Sequence, residues 1–212
     1  MFLPIIRKGF SLNHVTAKWK FTSIKNTDIT FLKGDIRIED QEIKACAPLL
    51  PPNPDEECLD LDGDYVLPGM VNSHCHSYTS LLRGASFGEP LEIWSADTIA
   101  LGGALSAEDM ALSTALGICE MIRDGVTSCV DHLPHLKTAG TAAEVYKKSS
   151  FRAALAPMLH NLKDSDILAG MEETLSGEPV NSPSPFPAVS EFVDFYEDFI
   201  RKYHDPQSGL RL

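Results

Sequence analysis

Long apolar runs are missing from this 212-residue chain, and so, after residue 25, is any excess of positive charge. No stretch approaches the ~18 consecutive apolar residues of a membrane-spanning helix, so a membrane role is not expected. The net charge is −12, and the one basic-rich segment is residues 1–25, where Arg7, Lys8, Lys18, Lys20 and Lys25 meet no acid; that +5 leaves −17 on the remainder. Such an acidic chain is unsuited to nucleic acid or an anionic membrane, because phosphate contacts need a basic surface. No CxxC pair occurs among Cys46, Cys58, Cys75, Cys119 and Cys129, and the number is odd. Reduced thiols in a cytoplasmic protein are therefore expected rather than a disulfide framework. Low-complexity tracts are also missing.

What is present begins with an ordinary globular composition, 43% hydrophobic and 23% charged, enough for a sizeable core. Met1 to Ile6 is apolar but shorter than a secretory h-region, and the basic residues follow it instead of preceding it. Only one of the five basic residues is Arg, which fits a mitochondrial leader poorly. Residues 1–27 are expected to be a poorly defined basic N-terminus.

Residues 28–64 read as short strands with turns, Ile29–Leu32, Ile36–Ile38 and Leu59–Leu61, around a proline-rich loop at 51–54. A small β segment is expected there, with the main domain over 65–212. In that domain strands and helices alternate. Val66 to Val71 is a strand broken by Pro68-Gly69, and a loop from Gly84 to Gly103 is anchored by Leu91, Ile93 and Trp94. Ser106 to Asp109 forms a capping box. The helix after it shows Leu112, Ala115, Leu116, Cys119 and Ile122 at helical spacing, which predicts these as its buried face, and Gly125 ends it. Val126–Val130 is a strand ending at Asp131-His132, Thr141 to Lys148 a helix, and Phe151–Leu159 a strand ending at His160-Asn161. Further helices are expected over 164–175 and 189–203, and 209–212 opens a fourth strand. This alternation is the sequence form of a parallel α/β sheet, whose C-terminal strand ends carry the chemistry.

At one such end stands His74-Cys75-His76. Alternate strand residues share a face, so the two imidazoles project together and Cys75 points away. Two neutral imidazoles can hold one divalent metal at ~2.0–2.1 Å, which is half of a site. A local site that also recruits Cys75 and Asp131 is disfavoured by the same alternation.

The stretch LPGMVNSHCHSYTSLLRG (67–84) resembles the first-strand signature of the amidohydrolase superfamily, in the branch of cytosine and guanine deaminases and triazine chlorohydrolases. Leu91 with Trp94, then Gly125-Val-Thr127, Asp131 and Phe151-Arg152-Ala153, agree in order, as does the β segment upstream. The resemblance covers about residues 28–212 and matches the N-terminal half of such an enzyme. It implies a (β/α)8 TIM-type barrel preceded by a small β-sandwich, with His74 and His76 as metal ligands and zinc as the metal. It implies hydrolysis of non-peptide C–N bonds, or of C–Cl, in a small-molecule substrate, by water that the metal acidifies. Trp94, His132 and His135 are the candidate substrate contacts.

The resemblance also implies further ligands, a histidine from the fifth strand, one from the sixth and an aspartate from the eighth, and none of these strands is in the sequence. A barrel takes ~250 residues, whereas Tyr65 to Leu212 is 148. The chain is accordingly expected to be an N-terminal fragment, inactive alone, that pairs with a missing C-terminal half or with copies of itself. The competing expectation is a non-catalytic α/β remnant acting as an interaction module. Where adenosine-type relatives carry Pro-x-Glu after the tryptophan, Ile99 to Gly103 has no carboxylate, which leaves the substrate open.

Overall fold

The computed structural model describes residues 14–25, 28–39, 42–61, 64–158 and 189–212. They form two compact units, one running to Met70 and including Arg123–Gly125, the other made of Val71–Ile122 and the residues from Val126 onward.

The first unit is a five-stranded sheet in which β1 (His14–Lys25) pairs antiparallel with β2 (Asp28–Glu39), and β2 with β3 (Glu42–Ala47). Strands β4 (Cys58–Asp60) and β5 (Tyr65–Val66) run parallel to β1. β1 occupies a segment whose charge predicts a poorly defined start. The signal was there in the apolar alternation of Val15, Ala17, Trp19 and Phe21, which the basic composition hides. Ile36 and Ile38 form the small core with Leu61 and Val66. The proline-rich loop is tied down by Arg37, which donates to the Pro51 carbonyl at 2.7 Å and to both oxygens of Glu56 at 2.7 and 3.0 Å.

The second unit is built on a four-stranded sheet in the order β6 (Met70–Cys75), β7 (Val126–Leu133), β8 (Arg152–Pro157), β9 (Leu210–Arg211). β7–β8 and β8–β9 are parallel, with Asp131 opposite Leu155 and Ala153 opposite Leu210. The helices are α1 (Leu91–Ala104), α2 (Ala107–Arg123), α3 (Leu136–Ser149) and α4 (Val189–Tyr203). Parallel strands of this kind need cover from helices, and Tyr146, Phe151, Met110, Leu133 and Leu210 fill the space at full burial. The expected fourth strand and the helix over 189–203 are both present. His160, Asn161 and the helix expected over 164–175 lie outside the described residues. Among the described residues no helix is long and apolar enough to cross a membrane.

Three sequence expectations need correction. The stretch expected as a loop between Gly84 and Gly103 contains α1, which has no capping side chain and no apolar stripe, so periodicity could not reveal it. α3 begins at Leu136, five residues before the expected Thr141. The face of α2 is also turned. Met110, Ser113, Thr114 and Ile118 are buried, whereas Leu112 and Leu116 are 59% and 37% exposed and Cys119 is exposed. Hydroxyls can be buried here because they are satisfied. Ser113 Oγ donates to the Ser77 carbonyl at 2.7 Å and accepts from Leu81 N–H at 3.2 Å, and Thr114 Oγ1 donates to the Met110 carbonyl at 2.9 Å.

The α2 capping box holds as expected. Ser106 Oγ accepts from Asp109 N–H at 3.1 Å, and Asp109 Oδ2 accepts from Ser106 N–H and Oγ–H at 3.0 and 2.7 Å. Those two donors keep the Asp109 carboxyl below the usual carboxylate range. Ser106→Ala is expected to cost about 1 kcal/mol, read by urea denaturation. A depressed carboxyl stabilises the folded state above its unfolded pKa and loses that contribution as pH falls through its folded value. The difference between wild type and variant should therefore shrink on acidification. At its other end α2 gives way to Gly125, whose φ of 79° is the left-handed conformation that glycine adopts without strain.

Candidate functional site

β6 delivers His74 and His76 to one place. Their Nε2 atoms lie 3.2 Å apart and their rings are perpendicular, with centroids at 4.8 Å. Cys75 faces the other way, against the core, with its thiol on the Val130 carbonyl at 3.4 Å.

The orientation of His76 is fixed from several sides. Its Nδ1 lies 2.6 Å from the carbonyl of His132, and a carbonyl only accepts, so Nδ1 carries a proton, which in the neutral ring leaves the lone pair on Nε2. The His76 carbonyl accepts from Thr79 N–H at 3.0 Å and from Thr79 Oγ1 at 2.8 Å, at the start of the 3-10 turn Ser77–Ser80. The next peptide N–H, that of Ser77, donates to Asp131 Oδ1 at 2.9 Å. Asp131 is fully buried, and its other oxygen accepts from Tyr146 Oη at 3.0 Å. Burial pushes its carboxyl above the ordinary range, against the opposing pull of Ser77 and Tyr146.

The site residues expected from sequence separate into two groups. His132 sits beside the pair, its ring 4.6 Å from that of His74 at a 32° tilt. His135 instead lies edge-on to Tyr78 at 4.7 Å, next to Gly102 of α1. Trp94 is half-buried in the first turn of α1, where its carbonyl accepts from Thr98 Oγ1 at 2.9 Å. Among the described residues it makes no ring contact with the histidines. Sequence reasoning missed Ser77, Ser113 and Tyr146. Ser113 was legible only as a polar residue one helical turn after Met110, and Tyr146 only as the large aromatic of α3.

Two nitrogens bound to one tetrahedral metal at ~2.0–2.1 Å stand about 3.3 Å apart, close to the 3.2 Å observed. The pair therefore fits two positions of a divalent-metal site. Among the described residues no group of three or more His, Cys, Asp or Glu is arranged to hold a metal, so the fit is to half of one.

Comparison with known proteins shows what the chain is similar to. The chain is 32% identical over 124 residues to a 5-methylthioadenosine/S-adenosylhomocysteine deaminase of Natronomonas pharaonis, covering 57% of this chain and 28% of that protein. Its fold is similar to zinc-complexed atrazine chlorohydrolase TrzN from Arthrobacter aurescens, with a TM-score of 0.69 at 19% identity over 93% of this chain and 45% of that one. It is also similar to guanine deaminase from C. acetobutylicum with bound guanine, with a TM-score of 0.71 at 17% identity over 95% and 45%. The chain thus spans between a quarter and a half of the proteins it matches. Residues 65–205 match the Amidohydrolase family, and a match over that much of the chain makes it a member of that family.

Proposed function

We propose that the chain supplies the first-strand half of a metal-dependent hydrolase centre acting on non-peptide C–N bonds, of the deaminase or amidohydrolase type. The observation that carries this is the 3.2 Å separation of two imidazole Nε2 atoms, one with its lone pair fixed by the hydrogen bond to the His132 carbonyl. His74 and His76 would hold a divalent metal, zinc, whose chemistry when bound is to acidify water toward neutral pH and polarise the bond under attack. The protein's own contribution is orientation. Nδ1–H of His76 on a carbonyl fixes the tautomer, a familiar arrangement behind metal-ligating histidines. His132, beside His74, is the ring placed to meet a substrate. Small nitrogen-rich rings are the substrate class, supported by the deaminases and chlorohydrolase the chain resembles.

Three protein ligands are the usual catalytic minimum, and among the described residues no third one joins the pair. On this reading the described residues alone do not make a complete catalytic centre. β6 lies at one end of its sheet with Val71 65% exposed, and α2 leaves Leu112 open, surfaces available for pairing with further polypeptide.

Calorimetric titration of the purified chain with zinc tests the ligand assignment. One weak equivalent is expected, with His74→Ala and His76→Ala each reducing affinity at least about tenfold and His132→Ala leaving it unchanged. Absence of binding, or binding indifferent to both alanine variants, sinks the assignment. Ammonia release from amino-purines, amino-pyrimidines and amino-triazines by the longest native form tests the reaction, and a zinc-loaded protein that releases none overturns it.

A further inference from the structure

We propose that Asp131 is the positioning residue for His76, setting the ligand's orientation through the peptide N–H of Ser77. The inference rests on the reading of His76 as a metal ligand and adds what holds it there. Two consecutive residues of β7 grip His76 from opposite ends. The His132 carbonyl takes the ring at Nδ1, 2.6 Å away. Asp131 Oδ1 takes the N–H of Ser77, the first peptide after His76, at 2.9 Å. β7 alternates its side chains, so the Asp131 carboxylate lies on the helix-facing side with Cys129 and Leu133, all three buried.

A fully buried carboxylate is costly unless each oxygen is satisfied. Here both are engaged, Oδ1 by Ser77 N–H and Oδ2 by the Tyr146 hydroxyl of α3. An apolar residue of similar size would fill the volume but leave the Ser77 N–H without its acceptor. What the carboxylate adds is a fixed acceptor at the point where β6 becomes a 3-10 turn. His76 has φ −133° and ψ 95° there, extended backbone just before the turn. Rotation of the peptide after His76 would move its Cα relative to the His132 carbonyl, and the ring could not keep its Nδ1 bond.

The test is nitrogen-15 NMR of the histidine side chains in the metal-free 212-residue protein. Wild type is expected to show His76 as a single Nδ1–H tautomer. Asp131→Asn, whose side-chain oxygen still accepts from Ser77, should keep that tautomer. Asp131→Leu, folded by circular dichroism but without an acceptor, should show a mixture and bind zinc about tenfold more weakly, the lower end of what a lost supporting partner costs. A single tautomer retained in Asp131→Leu overturns the inference, as does a mixture in wild type or a loss in Asp131→Asn equal to that in leucine. Should Asp131→Leu not fold, Asp131→Ala asks the same question. It removes the acceptor for the Ser77 N–H without adding bulk to the buried site, and the same two outcomes decide. Because the tautomer is read without metal, a wild type with one tautomer and no zinc affinity would sink the hydrolase reading and leave this inference standing.

Discussion

Tyr146→Ala is expected to destabilise the second unit by about 3–5 kcal/mol, the range for deleting a large buried aromatic. Loss of the donor to a buried carboxylate adds about 1–3 kcal/mol. Tyr146 is fully buried, lies beside the Phe151 ring at 6.4 Å, and donates to Asp131 at 3.0 Å. Cavity and orphaned acceptor can be separated by Tyr146→Phe, which keeps the ring and should cost only about 1.5–3 kcal/mol, the worth of a hydrogen bond to a charged group. Trp94 reports on the second unit alone once Trp19 is replaced by phenylalanine. Urea denaturation followed by its fluorescence would give both values. A neutral Tyr146→Phe would mean that the hydroxyl contributes nothing to holding Asp131.

Gly102→Ala carries a sharper sign, because helix propensity and packing disagree. In an exposed helix interior the change stabilises by roughly 0.5–1 kcal/mol. A methyl here would stand 2.3 Å from His135 Nε2 and 2.6 Å from Tyr78 Cδ2, closer than real contacts allow. Tyr78 is 3% exposed and has nowhere to go, so α1 or His135 must shift. Overpacking of this kind costs about 1–3 kcal/mol, and the net is expected to be destabilising, more so for Gly102→Leu. Thermal melts with Trp94 fluorescence check it. A more stable Gly102→Ala would show that α1 is not pressed onto the rings as described.

Both experiments concern what sequence periodicity could not see. Gly102-Gly103 reads as a loop because two glycines lower helix propensity, yet the chain there is helical because only a bare Cα lets α1 approach Tyr78 and His135. On α2 the stripe Leu112, Leu116, Cys119 is as periodic as the true face, and the helix buries Ser113 and Thr114 instead. Hydroxyls with partners at 2.7 to 2.9 Å are no worse in a core than leucines, and a sequence does not show its partners.

By itself the sequence determined the alternation of strands and helices, the capped start of α2, the placing of His74 and His76 on one side of a strand end, and the family. Each follows from interactions between near neighbours along the chain, namely side-chain alternation, local caps and a contiguous motif. Only the tertiary structure decided which imidazole has its tautomer fixed, that His132 joins the pair while His135 lies against Tyr78, and that Asp131 stands behind His76. Those outcomes depend on contacts between residues more than about 50 positions apart in sequence, and distances of that kind are set by how strands come to lie side by side, which no local pattern encodes.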